Sequence, residues 1–460
     1  MIPLQLSEVA RVVGGALHGD DVVVAGPAYV DSRSPVPDGL FVAIVGERTD
    51  GHAYAEGAHA VLGSRPTTAP TVVVDDPVVA LGLLARHVLD LLDTTVIALT
   101  GSQGKTGTKD YLAAVLRALT SAEAVVATTA NNNNELGVPL TVLRASTTTS
   151  HVVVEMGARG VGHISYLCEI APPRIAAALN VGSAHVGEFG GQDVIAQAKG
   201  EIIAALPDDG VAVLNADDPL VAAMATRTSA RIVSFGSAGA VSWRNLTLDA
   251  LGRPTFELGY DDQWHAVTLL QSGAHQVLNA AAAAAMAIGA GFAPADVAVA
   301  LGTAAAASPW RMEVTERADG LVVINDSYNA NPESMRAALE ALVAIGRGEG
   351  GSRRRTVAIL GEMKELGAEH EAGHRAVGRA AAELGVDVLL VVTEAARGMA
   401  EGARSESGNT VGEVIVTAGR DDAVAWVRQN AGPEDVVLVK ASRGAALELV
   451  AASILKGTMQ

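Results

Sequence analysis

The sequence predicts an α/β protein of three domains: a small α/β N-terminal domain, a central domain on a mainly parallel sheet, and a C-terminal Rossmann-like α/β domain. Three observations lead there. From Val96 to about Ser308, short apolar runs alternate with amphipathic helical stretches, the pattern of parallel strands joined by crossover helices. The same alternation restarts at Arg311 and runs to the end of the chain. Before Val96, brief apolar runs are separated by turn residues without that rhythm. A chain of 460 residues has room for two or three domains, and we place them at 1–94, 95–309 and 310–460.

In the first domain Val22–Ala25, Leu40–Val45 and Thr71–Val74 read as strands and Pro77–Leu92 as a helix. In the second, strands are expected at Val96–Thr100, Val152–Glu155, Ile175–Asn180 and Val211–Asn215, with a small β-rich insertion near 230–270 and a helix from Asn279 to Ile288. A hinge is expected at Ala304–Pro309. In the third, strands are expected at Leu321–Asn325, Thr356–Leu360, Val386–Val392, Glu413–Val416 and Val436–Val439. This last unit has no GxGxxG turn, so nothing supports a dinucleotide site there.

Hydrophobic residues make up 49% of the chain and charged residues 18%, a globular composition; with aromatics at 3%, the cores must be built from Ala, Val and Leu. A net charge of −18 argues against nucleic acid as a partner. Arg353-Arg354-Arg355 is the one basic cluster and reads as a solvated loop. The single cysteine, Cys168, excludes a disulfide framework and fits a reducing cytoplasm. No run approaches the roughly 18 apolar residues of a membrane span, and Ser7, Glu8 and Arg11 interrupt any signal-like segment, so a cytoplasmic protein without membrane insertion is expected.

The richest stretch is Val96-Ile97-Ala98-Leu99-Thr100 followed by Gly101-Ser102-Gln103-Gly104-Lys105-Thr106. A buried strand, a glycine turn and a helix opening on Lys-Thr are the parts of a phosphate-binding loop. Glycines let backbone N–H groups close on phosphate oxygens at a helix N-terminus. Lys105 adds charge, and the Thr106 hydroxyl can reach a magnesium ion. The general pattern has an earlier glycine where this chain has Leu99.

Other candidates lie at strand ends, where ligands gather in parallel sheets. Glu155 closes one strand and is either a magnesium ligand or a structural acid. His185 and Lys199 follow the next strand; a lysine amine that loses its proton could take up CO₂ and offer carbamate oxygens, a ligand type that magnesium accepts. Asp31-Ser32-Arg33 is a turn whose arginine either binds phosphate or makes a local salt bridge. Asp326-Ser327-Tyr328-Asn329-Ala330-Asn331, Gly361-Glu362 and Lys440-Ala441-Ser442-Arg443 put polar groups at three strand ends of the third unit. Arg311, at the hinge, reads either as a phosphate contact or as a hinge salt bridge.

Together these residues resemble the Mur ligases, whose phosphate loop, like Thr100–Asp110 here, also lacks the earlier glycine. Asp31-Ser-Arg33, Leu40-Phe-Val-Ala43 and Asp50-Gly-His52 are similar to that family's UDP-sugar-binding N-terminal domain, Thr128–Pro139 to its substrate loop, and Ala198-Lys-Gly-Glu201 to its lysine motif. Tyr328-Asn-Ala-Asn-Pro332 and Leu360–Gly367 with His370 resemble the branch that adds D-alanyl-D-alanine. Three departures stand out: Ala130 and Ala441 where glycine is usual, and Gln276 where asparagine is usual.

The resemblance implies ATP-dependent amide formation in cytoplasmic peptidoglycan precursor synthesis, joining D-alanyl-D-alanine to UDP-MurNAc-tripeptide through an acyl phosphate and a tetrahedral intermediate. It implies that Gly101, Ser102, Gln103, Gly104 and Lys105 hold the ATP phosphates, with Asn279, Arg311 and Asp326 on the nucleotide. Thr106 and Glu155 would hold one Mg²⁺, and His185 and carbamylated Lys199 a second. Ser32, Arg33, Thr128, Asn131, Asn133, Asn134, Tyr328, Asn329 and Asn331 would face the substrates, and a monomer is expected. The alternative is a sister amide ligase. Absence of an Asp-Asn-Pro-Arg motif counts against the third-residue-adding Mur enzyme, and the Asp31-Ser-Arg33 domain against a folylpolyglutamate-type synthetase. A non-catalytic nucleotide-binding scaffold would have no use for the Lys105, Glu155, His185 and Lys199 set.

Overall fold

The computed structural model describes residues 1–46, 49–182, 191–305, 307–347, 353–405 and 411–456. After helix α1 (Leu6–Val13), the N-terminal part forms a five-stranded sheet from β1 (Ala16–His18), β2 (Ala28–Tyr29), β3 (Leu40–Ala43), β4 (Ala60–Gly63) and β5 (Thr71–Val73), in the order β1-β5-β4-β3-β2. Asp76 caps α2 (Pro77–Asp90) by accepting from the amides of Val78 and Val79, and proline stands in the first turn, where its missing N–H costs nothing. Strand β3 stops at Ala43, two residues short of expectation. The Gly51 amide bonds to the Ile44 carbonyl, and Val45 is bridged to Asp50 across a turn.

The central sheet has six parallel strands: β6 (Thr95–Thr100), β7 (Val125–Ala127), β8 (His151–Glu155), β9 (Ile175–Ala178), β10 (Val211–Asn215) and β11 (Arg231–Phe235), in the order β11-β10-β9-β6-β8-β7. Both faces of the inner strands are covered, which is why they read as apolar runs. Edge strand β11, Arg-Ile-Val-Ser-Phe, is half exposed and joins this sheet rather than the insertion expected from about residue 230. Register pairs Glu155 with Leu99 and Ala178 with Thr100, so three strands reach the same edge at Gly101, Glu155 and Leu179. That edge is the switch point of the strand order, the place where ligands bind in open α/β sheets.

Three helices, α4 (Gly137–Val142), α5 (His163–Ile170) and α6 (Gln192–Ala204), complete the near side, while α3 (Lys105–Leu119) packs on the opposite face. Gly82 lies beneath Ile170, so α2 docks closely on α5, and one apolar core runs from Met1 through the N-terminal sheet to Ala230. The expected insertion is a three-stranded antiparallel sheet of β12 (Ser242–Leu248), β13 (Pro254–Tyr260) and β14 (Gln263–Thr268). Helices α7 (His275–Gly289) and α8 (Pro294–Thr303) cover the opposite face, where Ala280–Ala287 are buried in a second core.

The C-terminal part contains β15 (Glu313–Glu316), β16 (Val322–Asn325), α9 (Pro332–Arg347), β17 (Arg355–Leu360), α10 (His370–Leu384), β18 (Val388–Val392), α11 (Arg397–Arg404), β19 (Glu413–Thr417), α12 (Arg420–Asn430), β20 (Asp435–Lys440) and α13 (Glu448–Leu455). Its sheet order is β15-β16-β20-β17-β18-β19, with only β15 antiparallel and an apolar core on each face. Sequence reading missed β15 because Glu-Val-Thr-Glu on a half-exposed edge carries no apolar run.

Strand β18 starts at Val388, not Val386, because the helix end consumes the backbone there. Gly385 is left-handed, and both its amide and that of Val386 bond to the carbonyl of Ala381. The Arg353–Arg355 expectation is also corrected. Arg355 opens β17 and pairs with buried Asp435, Arg353 pairs with Asp387, and Arg354 donates to the Gly320 carbonyl, so the cluster ties strand entrances together.

Helices α10 and α11 touch backbone to backbone at Gly378 and Gly402, where an added Cβ would meet the carbonyls of Met399 and Arg375. Gly378→Ala should therefore lower stability by about 3 kcal/mol, the upper end of overpacking costs. Gly432→Ala, with nothing near its Cβ, serves as the control. Thermal unfolding of the two variants, with equal midpoints contradicting the packing account, checks this.

Candidate active site

Backbone geometry at the end of β6 prepares an anion cradle. Gly104 sits at φ +77° as the N-cap of α3, and its missing side chain admits Asn279 Oδ1, which would lie 2.6 Å from a Cβ there. The first amides of α3 have no intrahelical acceptor and point out of the helix start. The turn is pinned from β9: Asn180 accepts from the Gln103 amide (2.9 Å) and donates to the Gln103 carbonyl (3.0 Å), while Ser102 Oγ accepts from the Gly182 amide. Lys105 folds back, its Nζ 2.6 Å from the Gly101 carbonyl. Burial lowers its pKa, with Arg311 adding to that and Glu155 opposing it.

Glu155 is held on every side. Its Oε2 accepts from Thr106 Oγ1 (3.0 Å), its Oε1 from Asn133 Nδ2 (2.9 Å), and its amide donates to Thr128 Oγ1 (3.0 Å). Lys199 lies on α6, 7% exposed, and no group among the described residues accepts from its amine. Burial, then the charge of Lys105, lowers its pKa to about 7. Glu201, one half-turn along, accepts from the amides of Gly162 and Ser165 and anchors α6 to the start of α5.

The approach to the C-terminal domain is clamped at both ends. Buried Lys109 pairs with Asp110 (2.6 Å) and donates to the Thr128 carbonyl and Ser308 Oγ, while Asp110 accepts from the Ser308 amide (3.0 Å). Two residues on, the Trp310 carbonyl accepts from the Tyr328 amide, the Trp310 ring lies under the Arg443 guanidinium, and the Met312 amide donates to Asp326. Arg311, between them, stacks on Tyr328 with its guanidinium 4.1 Å from the ring centre, and its buried Nε has no partner. Among the described residues no carboxylate makes a salt bridge with Arg311. Trp310 and Met312 both adopt positive φ, at 59° and 50°. Asp326 pairs with buried Lys440 at 2.6 Å.

Two adjoining spaces result. A cavity of about 320 Å³ is lined by Ser102–Gly107, Asn131, Asn133, Glu155, Asn279, Arg311, Asp326, Tyr328, Asn329, Asn331 and Lys440. A cleft of about 1160 Å³ begins at Gly101 and Lys105, passes Thr128, Asn131, Asn133, Asn134, Lys199 and the hinge, and ends at Glu365 and Arg443. Thus Gly101, Ser102, Gln103, Gly104, Lys105, Thr106, Glu155, Lys199, Asn279, Arg311 and Asp326 come together. Ser32 and Arg33 do not line either space. Arg33, 87% exposed, pairs with Asp31. His185 lies outside the described residues.

Five expected substrate contacts have internal duties: Thr128 bonds to the Glu155 amide, Asn133 donates to Glu155, Asn134 accepts from the Leu136 and Gly137 amides at the start of α4, Asn329 accepts from the Ala330 amide, and Asn331 accepts from the Ser334 amide as the cap of α9. Asn180, Lys109, Asp110 and Lys440 were not singled out as site residues. A polar residue at a strand end was the only signal for the first and last. For the Lys-Asp pair, charged residues on a helix face otherwise apolar were the signal. Among the described residues no three His, Cys, Asp or Glu side chains converge.

A strand, phosphate loop and helix with a buried lysine opposite and an arginine arriving from a second domain define a nucleotide-phosphate enzyme site on an α/β scaffold. Residues 99–287 match the Mur ligase middle domain, and residues 310–443 the Mur ligase glutamate ligase domain. The chain is 44% identical to UDP-N-acetylmuramoyl-tripeptide–D-alanyl-D-alanine ligase of Mycobacterium tuberculosis H37Rv, over 99% of this chain and 98% of that one. It superposes on MurF of Acinetobacter baumannii with a TM-score of 0.86 at 31% identity, covering 99% of both chains. It also superposes on Thermotoga maritima MurF, solved with ADP, with a TM-score of 0.80 at 29% identity, covering 94% and 97%. The chain belongs to the Mur ligase family.

The lowered Lys199 value gives a stability signature. Between about pH 7 and the ordinary lysine value near 10.4, the unfolded chain binds a proton that the folded chain does not, so stability rises with pH across that window. Lys199→Met should flatten the slope by up to ~1.4 kcal/mol per pH unit. Urea unfolding in CO₂-depleted buffer from pH 6.5 to 9.5, with parallel profiles for both proteins contradicting the assignment, checks this.

Proposed function

We propose that this chain joins D-alanyl-D-alanine to the terminal carboxylate of UDP-MurNAc-tripeptide, with ATP converted to ADP and phosphate, in peptidoglycan precursor synthesis. One observation carries the reading. Lys105, Lys199 and Arg311, from three separate segments, line one cleft in which, among the described residues, seven lysines and arginines face two carboxylates, Asp110 and Glu365, although the chain as a whole carries −18. Such a site suits a reaction in which two polyanions meet.

A carboxylate and an amine do not condense in water without activation. The γ-phosphoryl passes to a carboxylate oxygen of the tripeptide, breaking its bond to the β-phosphate bridging oxygen and forming an acyl phosphate. The D-alanyl-D-alanine amine attacks the acyl carbon, and the tetrahedral intermediate expels phosphate as the amine nitrogen loses its proton. Both steps concentrate negative charge, so preorganised cations supply most of the acceleration.

Lys105 and the loop amides hold the β- and γ-phosphates, and Arg311, with its unpartnered buried Nε, reaches the transferring group from the hinge. Asn279 lies by the adenine, oriented by Gln276, and Asp326 with Lys440 faces the ribose side. Ser32 and Arg33 meet the uridine diphosphate end, and Asn131, Asn133, Tyr328 and Asn329 line the path of the substrates.

The hard oxygens of Thr106 and Glu155, already 3.0 Å apart, fit one magnesium ion. An ammonium at Lys199 would repel a second. The buried amine beside Lys105 is suited to carbamylation, and the carbamate with His185 would then hold that ion. Magnesium, when bound, neutralises phosphate oxygens. We assign residues 1–94 to the UDP end, 95–309 to ATP and 310–460 to nucleotide closure about Pro309. We expect the chain to act as a monomer in the cytoplasm.

Phosphate release should require UDP-MurNAc-tripeptide and D-alanyl-D-alanine together; release with ATP alone, or with folate or glutamate acceptors, would sink the reading. Lys199→Ala should lose several orders of magnitude in kcat and recover in part with acetate or formate. Near-normal turnover of the unsupplemented variant would refute the carbamate assignment.

A further inference from the structure

Arg159 and His163, which line the cleft, and Glu135, which both of them contact, have no part in the chemistry above. Arg159 Nη1 donates to Glu135 Oε1 at 2.6 Å, and His163 Nε2 lies 3.1 Å from Glu135 Oε2. The Arg159 amide donates to His163 Nδ1 (3.1 Å), which makes Nδ1 the acceptor and leaves Nε2–H to donate to Glu135. His163 is 16% exposed and fixed, whereas the Arg159 guanidinium is 64% exposed and, among the described residues, has one of its five N–H groups bonded.

Hydrogen bonds tie this trio to the elements that carry Glu155 and Lys199. The Gly157 amide bonds to the Asn133 carbonyl, joining the strand-end loop after Glu155 to the loop that carries Glu135. Glu201, two residues after Lys199, holds the amides of Gly162 and Ser165 around His163. Arg159 and His163 line the same cleft as Lys199. The group nearest the activated carboxylate is the side chain of the third peptide residue.

A cation and an anion held side by side match a ligand that carries the opposite pair on one carbon. A lone carboxylate would gain from Arg159 but be opposed by Glu135, and a lone ammonium the reverse. We infer that Arg159 and Glu135 read the far end of that third side chain and favour an amino-acid head, as in diaminopimelate, over a bare ammonium, as in lysine. The inference rests on the proposed reaction.

The test compares phosphate release with two UDP-MurNAc-tripeptides that differ only in that residue, at saturating D-alanyl-D-alanine. The wild-type chain should favour the amino-acid-headed substrate by roughly ten- to a hundredfold in kcat/KM, the worth of one or two charge-assisted bonds. Arg159→Leu should bring the ratio close to one, mainly through KM, and Arg159→Lys should retain part of it. Equal kcat/KM values in the wild type, an unchanged ratio in Arg159→Leu, or an equal loss for both substrates would overturn the inference. The last would mark a carboxylate common to both peptides. Absence of release with either tripeptide would overturn the reaction itself.

Discussion

A buried lysine and aspartate at the second turn of the phosphate-loop helix hold three parts of the molecule in register. Lys109 and Asp110 bond to each other, to the carbonyl that opens the substrate loop at Thr128, and to both the amide and the hydroxyl of Ser308. A buried ion pair is stable only when its remaining bonding capacity is met by well-placed partners, and here the partners are backbone groups from distant segments. The helix that presents amides to phosphate is thereby tied to the loop facing the other substrate and to the last residue before the domain crossing.

Beyond Ser308 the allegiance changes. Trp310, Met312 and the Tyr328 beneath Arg311 are bonded or stacked to the C-terminal domain, which leaves Pro309 as the link between two anchored sides. The positive φ values at Trp310 and Met312 each cost about 1–3 kcal/mol, and those contacts offset the cost by aiming Arg311 inward. Charge follows the same plan. Burial weakens both Lys105 and Lys199 as cations, with Arg311 adding to this at Lys105 and Lys105 adding to it at Lys199. That is tolerable only where anionic substrates or a carbamate complete the site.

The departures from the family pattern have local explanations. Ala441 is fully buried against Gly361, so the methyl occupies space left by a neighbouring glycine. Gln276 accepts from Asn279 Nδ2 at 3.0 Å and so orients the side chain that crosses Gly104 and Gly107. Ala130 has φ +53°, the left-handed region that a glycine would occupy without strain.

Much of this was legible in one dimension. Apolar runs identified four of the six central parallel strands, missing the edge strands Val125–Ala127 and Arg231–Phe235. Gly101–Thr106 read as a phosphate loop because strand ends and glycine turns obey local rules; Lys199 was marked only by the family resemblance. Edge strand β15 was invisible, since half-exposed strands need no apolar run. The duties of Thr128, Asn134 and Asn331 as backbone ligands were invisible as well, since a polar side chain looks the same whether it meets a substrate or caps a helix. The sequence by itself determined the fold class and the groups able to bind phosphate. Only the tertiary structure decided which cations share a cleft, that Arg311 stacks on Tyr328, and that Lys109 and Asp110 bind the hinge. Those facts depend on contacts between residues up to about two hundred positions apart, whose energies no local pattern encodes.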